Sequence, residues 1–216
     1  MKILKKYLIS VFLILPCSAS FAIPILYQGI DVGAASFAAG VNSQAASSLF
    51  DAASGPLNII DFDTNNTGAT LSPASSPQGC GFSLCGGNTT AGGSNFFGHV
   101  FTTTITFDSP IDSFGAYFSG WQRTTQTLTY TDGAQTIINM PASGSLSLGG
   151  MVFSGFIDAG ASISSITYNT VSGDFVAIDD MRFGIASSAI PESKTLALFG
   201  LGLLGLVISR RRKFVG

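Results

Sequence analysis

The sequence predicts a mainly β domain, an antiparallel β-sandwich of the jelly-roll type, with one helix near its start. Apolar and polar residues alternate with a period of two through much of residues 57–183, as in strands that are buried on one face. Asp132-Gly133 stands between two such runs and predicts a tight hairpin turn. Because one sheet could not cover so many apolar faces, we expect two packed sheets.

The strand pattern is clearest in the run 100–107. Phe101, Ile105 and Phe107 point to one side of this run, and three threonines point to the other. The same kind of pattern predicts strands over 57–62, 100–107, 113–119, 127–131, 134–140, 151–157, 163–169 and 175–183.

A helix is predicted over Val32 to Ala53, a segment rich in alanine and serine. Its expected apolar face recurs at four-residue spacing and consists of Phe37, Val41, Ala45 and Leu49. Asp31 stands just before the segment and is the expected cap. We expect this helix to pack on the edge of the sandwich.

Residues 1–22 predict a secretory signal peptide. Lys2, Lys5 and Lys6 form a basic start, residues 7–15 are apolar, and Ser20-Phe21-Ala22 supplies small residues at a cleavage site. A lipoprotein cut before Cys17 is the alternative. Either cut predicts export, and the cut after Ala22 leaves residues 23–189 as an exterior domain.

The C-terminal segment 190–216 predicts a second targeting signal. Pro191 and Glu192 precede an apolar run over 195–208, and a basic cluster follows, made of Arg210, Arg211, Arg212 and Lys213. An apolar helix followed by positive charge is typical of a stop-transfer segment whose cluster stays in the cytoplasm. The run is shorter than the roughly 20 residues of an ordinary transmembrane helix, so it predicts a marginal anchor.

This tail resembles the PEP-CTERM sorting signal, with its Pro-Glu motif, Gly/Leu-rich membrane segment and terminal arginines. Ser193 stands where that family usually has a proline, so Pro191 and Glu192 carry the motif here. The resemblance implies an exosortase-type processing enzyme as partner and a precursor held in the inner membrane by its C-terminal helix. The processed chain is then expected at the cell surface, in the extracellular matrix or in the medium. A plain single-pass anchor is the alternative.

The exterior domain is acidic. It holds eleven aspartates against Arg123 and Arg182, so its net charge is 2 − 11 = −9. Such a surface repels phosphate backbones, which excludes nucleic acid as a partner. The 18 phenylalanines of the chain predict an ordered core, because disordered segments are poor in aromatic residues.

Two pairs of aspartates, Asp61 with Asp63 and Asp179 with Asp180, mark the first and last predicted strands. This order resembles exterior domains found ahead of such tails and, more distantly, calcium-stabilised carbohydrate-binding jelly rolls. The resemblance implies a structural Ca²⁺ held by one member of each pair, since calcium is bound by carboxylate and carbonyl oxygens. The alternative is that all four are turn and strand-end residues on a solvated surface.

Cys80 and Cys85 enclose four residues of a loop rich in glycine, serine and proline. An oxidising exterior compartment favours pairing of nearby cysteines, so we predict a disulfide between them.

Trp121 and Tyr117, with Tyr130 and Arg123, are candidates for a platform on which sugar rings stack. Trp121 follows Gly120 at the end of a predicted strand, where we expect an exposed loop. Ordinary packing in the core is the alternative. His99 is the chain's one histidine, and no Gly-x-Ser-x-Gly elbow surrounds a serine, so no catalytic residue is predicted.

These observations predict an exported, non-catalytic protein with a structural or interaction role in the cell envelope or the exopolysaccharide matrix. The alternative function is a carbohydrate-binding module at the cell surface. A secreted hydrolase is the weaker third interpretation.

Overall fold

The computed structural model describes residues 23–73, 78–79, 95–99, 102–122, 125–143, 150–169 and 176–187. Two antiparallel sheets pack face to face, and one α-helix packs on the outside of the larger sheet. This arrangement confirms the mainly β, sandwich-like architecture. The described elements are strand β1 (Ile25–Val32), a 3₁₀ helix (Phe37–Ala39), helix α1 (Val41–Ser54), β2 (Asn58–Ile60), β3 (Ala69–Ser72), β4 (Gln78–Gly79), β5 (Asn95–His99), β6 (Thr103–Ile111), β7 (Ser113–Ser119), β8 (Thr125–Tyr130), β9 (Gln135–Asn139), β10 (Gly150–Ile157), β11 (Ile163–Tyr168) and β12 (Val176–Gly184).

The twelve described strands form one seven-stranded sheet and one five-stranded sheet. The larger sheet runs β1-β10-β7-β12-β5-β4, with β2 also paired to β12, and the smaller runs β3-β6-β11-β8-β9. One edge of β12 pairs with β7. Along its other edge, β5 pairs with residues 176–178 and β2 with residues 181–183. Residues 179–180 of β12 therefore lie at the junction between β2 and β5.

Every predicted strand overlaps a described strand, and the segment 113–119 coincides with β7. In β6 the expected alternation holds, since Ile105 and Phe107 are buried and Thr106 is exposed. All seven residues of β7 are buried. This central strand is covered on both faces, by the second sheet on one side and by α1 on the other. Strands β1, β3, β4 and β5 were not predicted.

The main core lies between the two sheets. Its fully buried side chains include Phe114, Phe118, Phe156, Leu128, Ile166 and Tyr168. Full burial of one such side chain contributes about 1.5–3 kcal/mol, so this layer is the principal source of stability.

Helix α1 packs on the outer face of the larger sheet, but not through the predicted stripe. Val41 and Leu49 are 67% and 64% exposed. The buried side chains are instead Ser43, Ala46, Ser47, Phe50 and Ser54. The prediction of the buried helix face is therefore wrong. The predicted start at Val32 is also wrong, because β1 extends to Val32 and the α-helix begins at Val41, directly after Gly40.

Glycines in the sheet explain which helix face is buried. Gly115 and Gly155 lie side by side on β7 and β10, and a Cβ on either would come within 3.0 Å of the Phe50 ring. At Gly29 of β1, a Cβ would lie 2.2 Å from the carbonyl oxygen of Asn42. The small side chains of α1 and its single phenylalanine can therefore approach a sheet surface that lacks Cβ atoms.

The end of β12 is tied to the end of the helix. Ser187 donates its backbone amide to the carbonyl oxygen of Ser54 at 2.8 Å, and its hydroxyl donates to the same oxygen at 3.2 Å. Arg182 of β12 also forms an ion pair with Asp51 of the helix, with 3.3 Å between Nε and Oδ1.

Candidate functional site

Asp61 follows β2 and organises the turn that comes after it. Its Oδ1 accepts hydrogen bonds from the backbone amides of Asp63, Thr64 and Asn65 at 2.8–3.1 Å. Its Oδ2 accepts from the Thr64 hydroxyl at 2.6 Å. The Thr64 hydroxyl, followed by these amides, lowers the pKa of Asp61 to about 2. Both carboxylate oxygens are therefore engaged within the turn.

Asp179 lies at a β-bulge. Three steps along β12, from Asp179 to Arg182, match two along β7, from Tyr117 to Gly115. Asp180, inside the bulge, has a φ of 49°, in the left-handed region that aspartate tolerates better than most residues. Asp179 is 1% exposed, and its Oδ1 accepts the backbone amide of Asp180 at 2.8 Å.

The four predicted aspartates interact electrostatically. Burial raises the pKa of Asp179, the negative charge of Asp180 adds to this, and Asp63 and Asp61 contribute less, for a value of about 8. The structure thus brings Asp179 within electrostatic range of the other three aspartates.

The arrangement does not fit a calcium ion as it stands, because calcium takes roughly six to eight oxygen ligands. Asp61 is engaged in its own turn, and Oδ1 of Asp63 accepts from Nδ2 of Asn95 at 2.8 Å. Among the described residues, no three His, Cys, Asp or Glu side chains are grouped to hold a metal. Asp179 is nevertheless a buried carboxyl group that a bound proton or cation would stabilise.

The predicted sugar-stacking platform is wrong for both of its main residues. Trp121 is 0% exposed, and its ring packs against Phe118 and Tyr168 at centroid distances of 5.3 and 5.5 Å. Gly120, with a φ of 68°, turns the chain, and the Trp121 amide donates to the Ser143 hydroxyl at 2.9 Å. The chain therefore folds back over the end of the sandwich instead of forming an exposed loop.

Tyr117 lies on the opposite face of the larger sheet from the core layer that holds Trp121, and it is 2% exposed. Its ring contacts Phe37 and Phe153 at centroid distances of 5.4 and 5.1 Å. Tyr117 and Trp121 therefore belong to two separate packing layers, and neither presents a ring face to solvent.

A different surface is open on the five-stranded sheet. Cross-strand pairing aligns two rows of side chains on its outer face. One row runs Thr70, Thr106, Ser165, Thr129 and Gln135, and the other runs Ser72, Thr104, Thr167, Thr127 and Ile137. We call these ten residues the hydroxyl face.

The hydroxyl face is uncharged and regular. Neighbouring side chains are about 4.7–4.9 Å apart across the strands and roughly 6.7 Å apart along them. The hydroxyls of Thr104 and Thr167 lie 3.0 Å apart, within hydrogen-bonding distance. The alternation of threonine with apolar residues was visible in the sequence, but the alignment of eight hydroxyls depends on the strand order, which no local pattern contains.

Several predicted sites lie outside the described residues. They are the signal peptide 1–22, Cys17, Cys80 with Cys85, Arg123, the motif residues Pro191 and Glu192, the apolar run 195–208, and the cluster Arg210, Arg211, Arg212 and Lys213. His99 is the last residue of β5, where its backbone pairs with Val176. Within the part of the chain that the structure describes, no helix is long and apolar enough to cross a membrane.

The chain matches no protein-family model and no curated protein. Among solved structures it is similar to the C-terminal family 22 carbohydrate-binding module of Clostridium thermocellum Xyn10B, with 10% identity and a TM-score of 0.33 over 63% of this chain and 98% of that chain. It is also similar to TmCBM61 in complex with β-1,4-galactotriose, with 8% identity and a TM-score of 0.20 over 61% of this chain and 89% of that chain. At TM-scores this low, the two similarities establish neither the fold nor a ligand.

Proposed function

We propose that this chain is an exported, non-catalytic protein of the cell surface or extracellular matrix, and that its exterior domain binds a neutral polysaccharide along the hydroxyl face. The observation that carries this proposal is the hydroxyl face itself, two aligned rows without a charged side chain. The surrounding domain has a net charge of 2 − 11 = −9, so an uncharged strip on it suits an uncharged polymer better than an anionic one.

The chemistry of the face also favours a polymer over a single sugar. Each threonine offers a hydroxyl that donates and accepts hydrogen bonds, as sugar hydroxyls do, and a methyl group that can contact the C–H groups of a sugar ring. Neither row contains an aromatic ring that could stack on a sugar. Trp121 and Tyr117 cannot supply one, because both are buried. Useful affinity must therefore come from many weak contacts along an extended chain.

Affinity electrophoresis tests this binding. The processed protein, purified from a host that exports it, is run in native gels with and without embedded neutral or anionic polysaccharides. We expect a neutral polymer to retard the wild type and Thr106→Lys to remove the retardation. Ser48→Lys is the matched control, because Ser48 is exposed on α1, on the other side of the sandwich. Equal retardation of both variants, or retardation by anionic polymers alone, would refute the proposal.

The sorting part of the proposal rests on the tail and its resemblance to the PEP-CTERM signal. An exosortase-type enzyme is the expected partner, with the membrane as a transient one through residues 195–208. The intact mass of the chain from its host, with membrane and medium fractions kept apart, tests this. A mass lacking residues 1–22 and everything after about residue 190 supports processing, and Glu192→Ala should retain the tail. A wild-type chain that keeps Arg210 to Lys213 in the membrane fraction would instead identify a plain anchor.

A further inference from the structure

A cavity of about 580 Å³ opens at one end of the sandwich. It lies between the turn that follows β8, the turn that follows β10, and Ile23 and Pro24 ahead of β1. Its volume falls within the roughly 300–1,000 Å³ typical of small-molecule sites. Its lining includes neither Trp121 nor any residue of the hydroxyl face, and it includes none of the four aspartates Asp61, Asp63, Asp179 and Asp180.

One wall of the cavity is a buried carboxyl group. Asp158 is 6% exposed, and its Oδ2 accepts the hydroxyl of Tyr130 at 2.7 Å. No hydrogen bond from the described residues reaches Oδ1 of Asp158. Its backbone holds it in place, because its amide donates to the carbonyl oxygen of Asp112 and its carbonyl oxygen accepts the amide of Ala161, both at 2.8 Å.

The charged side chains that act on Asp158 or line the cavity with it are all negative. Burial raises the pKa of Asp158, the Tyr130 hydroxyl lowers it, and the negative charge of Asp112 raises it again. Asp132 is the second carboxylate on the lining, and no lysine, arginine or histidine is among the lining residues that the structure describes. A carboxylate so placed is stabilised by a cation and repels an anion.

The rest of the lining is apolar or hydroxylated. Pro24, Ala134, Ala159 and Ala161 provide carbon surface, and Thr136 and Ser162 provide hydroxyls. Such a wall suits a compact ligand body with an apolar side, of about the size of one or two sugar rings.

We propose that this cavity binds a primary ammonium group carried on such a compact body, with the ammonium against Oδ1 of Asp158 and the body against the proline and alanine wall. This site is separate from the hydroxyl face, so it stands whether or not the domain binds a neutral polymer. An ammonium donates three hydrogen bonds, and a charge-assisted bond to a carboxylate is stronger than a neutral one.

Two matched ligand pairs test the role of the charge. Glucosamine and glucose share a ring and differ in one ammonium, and cyclohexylamine and cyclohexanol differ in the same way without further hydroxyls. Cleavage after Ala22 gives Ile23, which lines the cavity, an α-ammonium of its own, so the processed protein is titrated by NMR at low salt with its N-terminal amine acetylated. We expect at least one amine to bind roughly tenfold more tightly than its neutral counterpart. The largest shifts should fall on the amides of Asp158, Gly160 and Ala161.

Asp158→Asn should remove the preference for the amine, because the amide keeps the shape and the acceptor for Tyr130 but loses the charge. Asp108→Asn is the control, since it removes an equal charge from an exposed position outside the cavity. Equal affinity for amine and neutral counterpart in both pairs would overturn the proposal, as would shifts away from the cavity or an Asp158→Asn protein that keeps the preference. The ligand pairs and the shift map decide the question on wild type alone if that variant fails to fold.

Discussion

Asp31 of β1 caps helix α1 from outside the helix, through Ser43. The backbone amide of Ser43 donates to Oδ2 of Asp31 at 2.8 Å, and the amide of Asn42 donates to Oδ1 at 3.1 Å. The N-cap position itself is Gly40, which makes no side-chain cap. The sequence correctly predicted that Asp31 caps the helix, but it placed Asp31 directly before the first helical residue. In the structure Asp31 lies on β1, and its side chain reaches the helix from that strand.

Asp31→Ala should destabilise the domain by about 0.5–2 kcal/mol at neutral pH, because two amides of the first helical turn lose their acceptor. Partial burial raises the pKa of Asp31, but hydrogen bonds from Ser43 and Asn42 outweigh it and leave the pKa below 3.8. The stabilisation is therefore present above pH 3.8 and lost as the pH falls through the folded-state value. Urea unfolding of wild type and Asp31→Ala at pH 7 and pH 3 measures the loss of stability and its dependence on pH. A difference in unfolding free energy between the two proteins that is equal at both pH values would contradict capping by the ionised Asp31 carboxylate.

Asp179→Asn should stabilise the domain increasingly as the pH rises. The folded-state pKa of Asp179 is about 8 against an ordinary 3.8, so the folded state binds the proton more tightly. The resulting stability is fully present below pH 3.8 and is lost as the pH rises through about 8, with a slope of at most about 1.4 kcal/mol per pH unit. Unfolding free energies of wild type and variant at pH 5 and pH 8 give the comparison. A constant difference between the two proteins would mean that Asp179 titrates normally.

Calcium should compete with the proton at this junction. Binding would require Asp61 or Asp63 to leave its present hydrogen bonds, so we expect a weak site that is favoured when Asp179 is ionised. Millimolar Ca²⁺ should then raise the melting temperature at pH 8.5 more than at pH 5.5, and Asp179→Asn should abolish the increase. Identical melting with calcium and with a chelator at both pH values would end the calcium hypothesis.

Tyr168→Phe and Tyr130→Phe should have opposite effects. Within the described residues, the buried Tyr168 hydroxyl has no hydrogen-bond partner, so its removal should stabilise by about 1 kcal/mol. The Tyr130 hydroxyl donates to Asp158, so its removal should destabilise by a similar amount. Parallel urea titrations measure both, and a loss of stability in Tyr168→Phe would reveal a partner for that hydroxyl.

The sequence was most informative where one strand carries its own pattern, as in β6 and β7. It failed for β1, whose apolar residues Ile25 and Leu26 stand side by side and whose Gly29 interrupts the alternation. The prediction of the buried helix face was wrong because that face is selected by residues distant in the sequence. The stripe of Val41 and Leu49 is a valid local pattern, but the glycines of β7 and β10 select the face that carries Phe50.

The candidate sites divide in the same way. The proximity of Asp61 and Asp179 followed from a resemblance in element order, whereas the bulge at Asp180 that buries Asp179 left no local signal. Trp121 was misplaced because a glycine before a tryptophan suits an exposed loop and a chain reversal equally well. The cavity at Asp158 combines two turns with the start of β1, and only the fold brings these segments together.

The position of β12 inside the larger sheet has a mechanical consequence. If the tail beyond Ser187 is held at a membrane while the hydroxyl face binds a polymer, a pulling force acts on the domain at the C-terminal end of β12. That strand is hydrogen-bonded along both edges, to β7 on one side and to β2 and β5 on the other. A pull along it loads these ladders in shear, so many bonds must fail together, whereas a strand at the rim of the sheet would peel away one bond at a time.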